Sequence, residues 1–390
     1  MFKVLILSIV FFQLFYIYKS IFIKKINNKK NKKIDENEIE PITIIIPLFN
    51  SEKTIFKCLN SILTNKKSLI SEIIIILDHC SDQSESIVTK IKKQYLDVKI
   101  KTLHLNQKKS GKVSGILEAF KITKTKYSLL IDSDIVLDKN AIEKLATFHY
   151  QNKNFYSSCY IYPYTDKKNT FLENIINNDR LYRQNILQNV REPYGLSNFP
   201  GGIGIVNTNE YKKKLKSGFL EDLTATLAII KSNKEINILK EPLAFEIERK
   251  SIKGVLLQRI RWTIGNIENV KNLFSVIIGV ESIFKKYILL SYPAMWYLQH
   301  YFIIIGNILF IFSIFRQSNL IYLLPQLLYF VQILISANIG KKHYENNFLS
   351  IIIHSIIYPV IITTSLLLSI FILIKKKKTF FKTKLLFSRI

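Results

Sequence analysis

The hydrophobic and polar positions divide the chain into a mixed middle part and apolar ends. Residues 4–23 form one nearly unbroken apolar run, and three more runs follow late in the chain, at about 287–315, 319–337 and 348–374. Each run is long enough to span, or nearly span, a hydrocarbon layer of roughly 30 Å. We therefore predict membrane helices on both sides of a central domain.

The first part of that domain, from Pro41 to about Tyr150, alternates compact apolar runs with amphipathic stretches. The apolar runs are rich in Ile and Leu and predict strands buried on both faces: Ile42–Ile46, Glu72–Leu77, Val98–Leu103 and Ser128–Ile131. The stretches between and after them have helical spacing: 51–63 (capped by Ser51 or Asn50), 84–95, 112–122 and 139–150. This alternation predicts an α/β fold with a mostly parallel, doubly wound sheet. Ligands of such sheets bind at the carboxyl ends of the strands.

The remainder of the domain has a more mixed pattern. It contains a strand-like FYSSCYIY, a long polar-amphipathic helix around 171–190, a glycine-rich turn at 200–204, a helix from Glu221 and a basic amphipathic helix from about Ile252. The predicted division of the chain is a transmembrane anchor, a basic polar tether, a catalytic domain, interfacial and transmembrane helices, and a basic tail: 1–23, 24–40, 41–275, 276–374 and 375–390.

Charge and composition narrow the class of protein. Lys and Arg number 56 against 29 Asp and Glu, a formal net charge of +27. Such an excess suits nucleic acid or an anionic membrane surface. The apolar runs favour the membrane, and no aromatic-basic stacking motif indicates a nucleic-acid partner. The 3 cysteines are scattered and the 6 histidines dispersed, which argues against a disulfide framework and a zinc site.

The lysines also predict an orientation. They are far more frequent after the first apolar run than before it, which places residues 24 onward on the cytoplasmic side. Three further crossings would then put Lys375–Lys378 outside, against the positive-inside tendency. Either one segment is re-entrant or interfacial, or the 287–315 run crosses twice around Pro293. We favour an even number of C-terminal crossings.

Two aspartates follow the fourth predicted strand directly, as Asp132-Ser133-Asp134. Alternate residues of an extended chain face the same side, so both carboxylates can converge on one point. Proteins commonly hold Mg²⁺ with one or two carboxylates together with substrate phosphates. Because the same residues are typical of a turn, both interpretations stay open at this point.

Other charged residues open predicted helices. Glu221 and Asp222 suit a helix start through the macrodipole, and one of them is equally suited to act as general base for an acceptor hydroxyl. Lys112, which follows Gly111 at another helix start, suits a phosphate. This indication is weak, because lysines are frequent throughout the chain.

Gln258, Arg261 and Trp262 share one face of a predicted helix, at spacing i, i+3 and i+4. An amide, a guanidinium and an indole presented together suit a sugar ring and a diphosphate. The alternative is an interfacial helix with its Trp at the lipid headgroups. Both interpretations hold together if the site lies at the membrane.

Taken together, these motifs resemble the membrane-bound branch of the family 2 glycosyltransferases, which includes cellulose, hyaluronan and poly-N-acetylglucosamine synthases. The resemblance covers about residues 41–270, with the motifs in the family's order. It implies a GT-A fold, a Rossmann-like and mostly parallel sheet in a cytosolic domain flanked by transmembrane α-helices.

The resemblance also implies roles for individual residues. It places the nucleotide sugar at Pro47, Phe49, Glu52, Asp78, Lys112, Asp132, Gln258, Arg261 and Trp262, with Asp78 at the uracil. It places Mg²⁺ or Mn²⁺ at Asp132 and Asp134, and makes Asp222 the catalytic base. The segment 199–204 resembles the glycine loop on the acceptor side, which assigns the acceptor to Gly201, Gly202 and Trp262.

Some features depart from the family's pattern. Leu220 stands where a Thr is common before the acidic pair, and the segment after Lys112 matches the usual pattern only loosely. No gating-loop or regulatory-domain motif of cellulose synthases follows Trp262. These departures affect the orientation of Asp222 and the role assigned to Lys112. The missing motifs argue against a cellulose synthase.

The resemblance implies a function with a small set of alternatives. It is an inverting, metal-dependent transfer of a sugar from a nucleotide sugar, UDP-linked, to a membrane-associated lipid or a growing polysaccharide. The setting is a bacterial plasma (inner) membrane with the catalytic domain in the cytoplasm, and an accessory subunit stays open. Single addition to a lipid is the alternative among enzymes, and a non-catalytic membrane subunit of polysaccharide export is the alternative outside them.

Overall fold

The structure is a computed structural model that describes residues 2–22, 39–106, 110–152, 156–165, 169–198, 201–248, 251–313 and 320–376. Most of the predicted basic tether and nearly all of the predicted basic tail lie outside these residues. Phe199 and Pro200 of the glycine loop lie outside them as well.

The first helices and strands follow one another in regular alternation. They are α1 (Phe2–Phe22), β1 (Ile42–Leu48), α2 (Ile55–Leu63), β2 (Ile70–Leu77), α3 (Ser84–Gln94), β3 (Ile100–His104), α4 (Lys112–Ile122), β4 (Tyr127–Ile131), β5 (Ile135–Leu137), α5 (Ala141–Gln151) and β6 (Tyr156–Pro163). The later elements are mostly helical. They are α6 (Phe171–Tyr182), α7 (Asn189–Arg191), β7 (Ile203–Asn207), α8 (Thr208–Lys214), α9 (Glu221–Lys231), β8 (Ile236–Glu246), α10 (Ile252–Gly279), α11 (Ile283–Pro293), α12 (Gln299–Ser313), α13 (Leu324–Gly340) and α14 (Phe348–Lys376).

The described strands form one eight-stranded sheet in the order β3-β2-β1-β4-β7-β6-β8-β5. Strand β1 lies parallel between β2 and β4, and β2 pairs parallel with β3. On the other side, β7 is antiparallel to both β4 and β6, while β6 and β8 are parallel. The prediction of a mostly parallel, Rossmann-like sheet is confirmed.

The isoleucine-rich strands are buried on both faces. In β1, Ile44 and Ile46 belong to the cluster packed with α2 and α5, whereas Ile45 belongs to the cluster on the opposite face. Because successive strand residues point to opposite faces, a sheet covered on both sides needs apolar residues at every position. This explains why the strands appear as unbroken apolar runs in the sequence.

The predicted start of α2 is wrong. The helix begins at Ile55, and Thr54 rather than Asn50 or Ser51 is its N-cap residue. The residues before it contact the start of α3 instead: the Ser51 N–H donates to Ser84 Oγ at 2.8 Å. Asn50 has a positive φ of 43°, which a helical turn does not allow.

The predicted helix around 171–190 forms, but it is buried rather than amphipathic at a surface. It runs as α6, a π-helical turn (Arg183–Gln188) and α7. Helix α6 packs against β6 on one side and against α13 and α14 on the other. Its polar side chains therefore lie in the interior between the sheet and the apolar helices.

Among the described residues, four helical runs are long and apolar enough to cross a membrane, by length and composition: Lys3–Phe22, Ile283–Phe312, Leu320–Gly340 and Phe348–Lys375. They expose large apolar side chains, such as Phe11 at 62% and Phe312 at 72%. The helix continues through Pro293 by way of a π-helical turn (Ala294–Leu298). The chain therefore does not turn back at Pro293, and the even number of C-terminal crossings stays a prediction.

Candidate active site

A cavity of about 1540 Å³ lies at the carboxyl ends of β1, β2 and β4, between the sheet and α10. We call it the central cavity. Every residue that the sequence singled out for the site lines it: Pro47, Phe49, Glu52, Asp78, Lys112, Asp132, Asp134, Gly201, Gly202, Asp222, Gln258, Arg261 and Trp262. The structure thus brings the whole predicted set together, and the role of each residue stays a prediction.

The ammonium group of Lys112 connects three parts of the central cavity. It lies 2.7 Å from Asp132 Oδ1 after β4 and 3.1 Å from Glu221 Oε1 at the start of α9. It also donates to the backbone carbonyl of Gly201 at 3.1 Å. One cation therefore holds the predicted metal carboxylate, the acidic pair and the glycine loop in a fixed arrangement.

Gly201 approaches the predicted catalytic base closely. A Cβ atom at this position would lie 2.8 Å from Asp222 Oδ2, so only glycine leaves the carboxylate in place. The other oxygen, Oδ1, accepts a hydrogen bond of 2.7 Å from the N–H of Leu223. The carboxylate of Asp222 is held between the glycine loop and the first turn of α9.

The pKa values of the two neighbouring carboxyl groups, Asp222 and Glu221, are shifted in opposite directions. Burial and the charge of Glu221 together raise the pKa of Asp222 to about 6, against the opposing effect of Lys112. For Glu221, burial also favours the neutral form, but the Lys112 ammonium, a backbone hydrogen bond and the charge of Arg261 together outweigh it and lower the pKa. Acid–base pairs are assigned where environments push two pKa values apart, and here Asp222 is the group suited to accept a proton.

At the far end of the central cavity, side chains join the loops that follow β1 and β2. Asp78 Oδ2 accepts from the Gly111 N–H at 2.8 Å, and its Oδ1 lies 2.8 Å from His79 Nδ1. Glu52 Oε2 accepts from the Gln83 N–H at 3.1 Å. These bonds fix the ends of neighbouring parallel strands around one open space.

The donor set fits a divalent cation shared with a ligand. Within the described ranges, no group of three or more His, Cys, Asp or Glu side chains is arranged to hold a metal alone. Asp132 and Asp134 instead supply two carboxylates at the edge of the central cavity. Magnesium is usually bound by one or two carboxylates plus substrate phosphates, so this pair matches a site that a phosphate ligand completes.

Trp262 lies between two arginines at the membrane side of the central cavity. The guanidinium of Arg259 is 4.1 Å from the ring centroid and that of Arg183 is 4.8 Å. Gln258 accepts a hydrogen bond of 2.8 Å from Arg259. The glutamine and tryptophan of the predicted motif therefore contact arginines other than the motif's own Arg261.

Those arginines belong to a buried ionic network that the sequence analysis missed. Asp179 accepts from Arg183 Nε at 2.8 Å and from Arg259 Nη2 at 2.6 Å. Arg180 pairs with Glu246 and, at 2.6 Å, with Glu248. Arg180, Arg183, Glu246 and Glu248 line the central cavity, whereas Asp179 and Arg259 lie behind it.

Part of this network had a signal in the sequence. Asp179 and Arg183 are spaced at i and i+4 in a helix, which favours an ion pair. The pairing of Asp179 with Arg259, across 80 positions, has no such signal. It results from the packing of α6 beside α10 through α14, which contacts both helices.

Comparisons with known proteins agree with this geometry. Residues 43–209 match the family described as Glycosyl transferase family 2. The poly-beta-1,6-N-acetyl-D-glucosamine synthase of Staphylococcus epidermidis is 24% identical over 425 residues, 98% of this chain and 97% of that protein. The synthase of the same name from Staphylococcus aureus is 30% identical over 149 residues, 36% of this chain and 34% of that protein.

A solved structure is similar over nearly the whole chain. It is the mannosyltransferase PcManGT from Pyrobaculum calidifontis, solved with GDP-Man and Mn²⁺, with a TM-score of 0.60, 12% identity and coverage of 94% of this chain and 99% of that one. The fold is therefore the GT-A fold with flanking apolar helices. The family match and the full-length similarity to a synthase show that the chain is a glycosyltransferase. Residues 43–209 carry the match to Glycosyl transferase family 2, so the predicted resemblance is confirmed over these residues, and the predicted fold and enzyme class are confirmed.

Proposed function

We propose that this glycosyltransferase transfers a sugar from a UDP-sugar, with inversion and with Mg²⁺ or Mn²⁺, to a membrane-associated acceptor. The observation that carries the proposal is the position of Asp222, a buried carboxylate with a raised pKa, one residue from the Lys112–Glu221 ion pair. The catalytic base, the predicted metal carboxylates and the QxxRW helix all line one cavity.

The donor binds along the ends of β1, β2 and β4. Asp78 receives the uracil, and Pro47, Phe49 and Glu52 line the nucleoside. The diphosphate lies toward Asp132, Asp134 and the QxxRW helix. The name of the full-length relative, a poly-beta-1,6-N-acetyl-D-glucosamine synthase, supports an N-acetylhexosamine as the transferred sugar.

Asp134, assisted by Asp132, would hold the divalent cation. When bound, a cation supplies Lewis-acid stabilisation of the charge that develops on the diphosphate. Lys112 is already paired with Asp132 Oδ1, so its ammonium adds positive charge to the same region. Arg261 faces the central cavity from α10 and stabilises the leaving diphosphate by hydrogen bonds to the charged oxygens.

Asp222 acts as the general base. Its carboxylate takes the proton of an acceptor hydroxyl, whose oxygen forms a bond to the anomeric carbon while the bond from that carbon to the diphosphate oxygen breaks. UDP leaves with the electron pair, and in-line attack inverts the configuration. Gly201 lacks the side chain that would displace this carboxylate, and the Leu223 N–H fixes its orientation.

The acceptor is a lipid or a growing glycan at the membrane, and the catalytic domain faces the cytoplasm of a bacterial inner membrane. The lysine excess after the first apolar run supports this orientation. The full-length similarity to a polymer synthase supports repeated addition. Single addition to a lipid is the second candidate, and an accessory subunit is compatible with either.

Membranes containing the full-length chain test the proposal with a panel of labelled UDP-sugars, in Mg²⁺, in Mn²⁺ and with a chelator. We expect incorporation from one donor, its loss on chelation, and a fall of about 10²–10⁴-fold in Asp222→Asn, the usual contribution of a general base. Donor binding should persist in that variant. Product size separates a polymer from a single addition. Unchanged transfer in Asp222→Asn would remove Asp222 from the mechanism, and failure to bind any UDP-sugar would contradict the proposed donor.

A further inference from the structure

A second, smaller pocket adjoins the central cavity on its membrane side. We call it the side pocket. Its volume is about 120 Å³, and its apolar walls come from α9, α10, α11 and α14: Leu223, Leu227, Ile267, Val270, Leu289 and Leu366. For comparison, an engineered apolar cavity of roughly 150 Å³ stays dry and binds benzene. The side pocket therefore has room for a segment of an apolar chain.

The side pocket is continuous with the central cavity. Asn198, Leu223, Asn266 and Tyr292 line both spaces. Leu223 directly follows Asp222, and its N–H is hydrogen-bonded to the carboxylate of Asp222. A molecule that occupies the side pocket is thus placed beside the proposed catalytic base.

Arg191 lines the side pocket with an unsatisfied charge. Its side chain belongs to a residue that is only 2% exposed, and its Nε and Nη1 atoms are buried with no hydrogen-bond partner in the described part of the chain. The guanidinium lies 4.2 Å from the ring centroid of Tyr292, and the ion pairs between described residues include none to Arg191. A buried cation without a partner is costly, whereas an anion at this point would use the unpaired N–H groups.

We propose that the side pocket binds an anionic lipid, with its phosphate at Arg191 and its apolar chain between α9, α10 and the membrane helices. The binding site follows from the pocket alone. The further step, that this lipid is the acceptor, rests on the proposed function: its head group carries the hydroxyl whose proton Asp222 takes.

Two observations favour a lipid over other occupants. Leu289 and Tyr292 belong to one helix that is long and apolar enough to cross a membrane, and Leu366 belongs to another. On the outer side, Ile267 and Val270 of α10 are exposed at 36% and 42%. An apolar chain can therefore enter the side pocket from the hydrocarbon layer, with its phosphate at Arg191 and the rest of its head group extending into the central cavity.

The test uses the full-length protein in neutral-lipid nanodiscs and a dodecyl phosphoglycerol that carries a diazirine near the end of its chain. Its neutral twin is dodecyl glycerol with the same diazirine. We expect the phosphate probe to label residues of α9, α10 and α11 around the side pocket. We also expect it to bind more tightly than the neutral twin. Equal affinity for both probes would overturn the assignment of Arg191.

Matched variants separate the contribution of the Arg191 charge to lipid binding from that of the shape of the side pocket. Arg191→Gln should weaken binding of the phosphate probe by about ten- to a hundredfold, the effect of losing hydrogen bonds to a charged group, and Arg191→Lys should restore part of it. The control Lys271→Gln removes an exposed charge from α10 outside the side pocket and should change little. Equal binding in Arg191→Gln and Lys271→Gln would contradict the proposal.

Leu227→Trp fills the side pocket and leaves Arg191 in the sequence. It keeps the proposal testable if Arg191→Gln does not fold. It should reduce labelling by both probes, whereas Ile278→Trp, at a position 77% exposed on α10, should not. Unchanged labelling in Leu227→Trp would overturn the site. UDP binding is measured in every variant, because retained binding shows that the proposed nucleotide site is still folded.

Transfer assays then separate this inference from the proposed function. Transfer from a UDP-sugar to the phosphate probe, lost in Leu227→Trp, supports the lipid as acceptor. Transfer to a glycan that Leu227→Trp leaves unchanged overturns the acceptor role while the proposed function stands. Lipid binding without transfer from any UDP-sugar contradicts the proposed function and leaves the lipid site intact.

Discussion

The central cavity has two halves that are built in different ways. The donor half, formed by Pro47, Phe49, Glu52, Asp78, Asp132 and Asp134, consists of residues at or just after the ends of β1, β2 and β4. The helical half, which we call the acceptor half after the proposed base Asp222, lies on α9 and α10. It also contains Gln258, Arg261 and Trp262, toward which the proposed donor diphosphate extends. Buried ion pairs support this half, and they join residues up to 80 positions apart.

This difference shows which interactions position the residues of each half. In the donor half, the parallel register of neighbouring strands brings their carboxyl ends to one edge, so each polar residue needs only the right position after its strand. In the acceptor half, α10 is placed by its packing against α9, α11 and α14. We therefore expect substitutions in the donor half to affect chemistry and those behind the acceptor half to affect stability.

The largest expected effect comes from the donor half. Asp134→Asn removes one of the two proposed metal carboxylates and should reduce transfer about a thousandfold, the several kcal/mol that a catalytic metal supplies. The protein should remain folded, because Asp134 lies at the edge of an open cavity. Asp138→Asn, an exposed aspartate just beyond β5 and outside the central cavity, is the control. Equal rates in the two variants would exclude Asp134 from the metal site.

A large effect on stability is expected behind the acceptor half. Asp179→Asn leaves the guanidinium of Arg259 without its 2.6 Å carboxylate partner in a buried position. Breaking one side of a buried ion pair lowers the free energy of unfolding by about 3–5 kcal/mol. Thermal unfolding of the detergent-solubilised protein measures the change. A melting temperature equal to that of the parent chain would show that the network does not hold α6 and α10 together.

The pH dependence of transfer gives an intermediate effect at the junction of the two halves. Asp222 must be ionised to accept a proton, and burial raises its pKa to about 6. The rate should therefore be level above pH 6 and fall about tenfold for each unit below it. UDP-sugar binding over the same range is the control. A rate that stays constant between pH 5 and pH 8 would argue against Asp222 as the base.

The smallest expected effect comes from an exposed ion pair. Lys144 lies 2.8 Å from Glu241, and both side chains are about half exposed. Lys144→Ala should lower the free energy of unfolding by less than about 1 kcal/mol, because solvent screens exposed pairs. The same melting assay measures it beside Asp179→Asn. A loss as large as that of the buried variant would mean that burial does not decide the strength of these pairs.

Most of the donor half could be predicted from the sequence because its signals are local. An apolar run followed directly by Asp78, or by Asp132 and Asp134, identifies the end of a strand that carries carboxylates suited to ligand or metal binding. The start of α2 could not be predicted in this way, since Asn50 bonds to the loop after β2 and Ser51 bonds to Ser84 at the start of α3, and neither caps the helix. There, hydrogen bonds to residues 31 and 33 positions away take the place of the N-cap hydrogen bond that the local sequence favours.

The sequence by itself determined the alternation of strands and helices, the apolar helices and the aspartates at the strand ends, because hydrophobic period and strand-end chemistry are properties of short segments. The other predicted site residues followed from the family resemblance. Only the tertiary structure decided that Arg259 and Asp179 pair behind Trp262 and that Arg191 is buried with its Nε and Nη1 groups unpaired among the described residues. Those arrangements depend on how α6 and α7 pack between the sheet and the membrane helices. The strength of a charge there is set by burial and by the neighbours that distant segments supply.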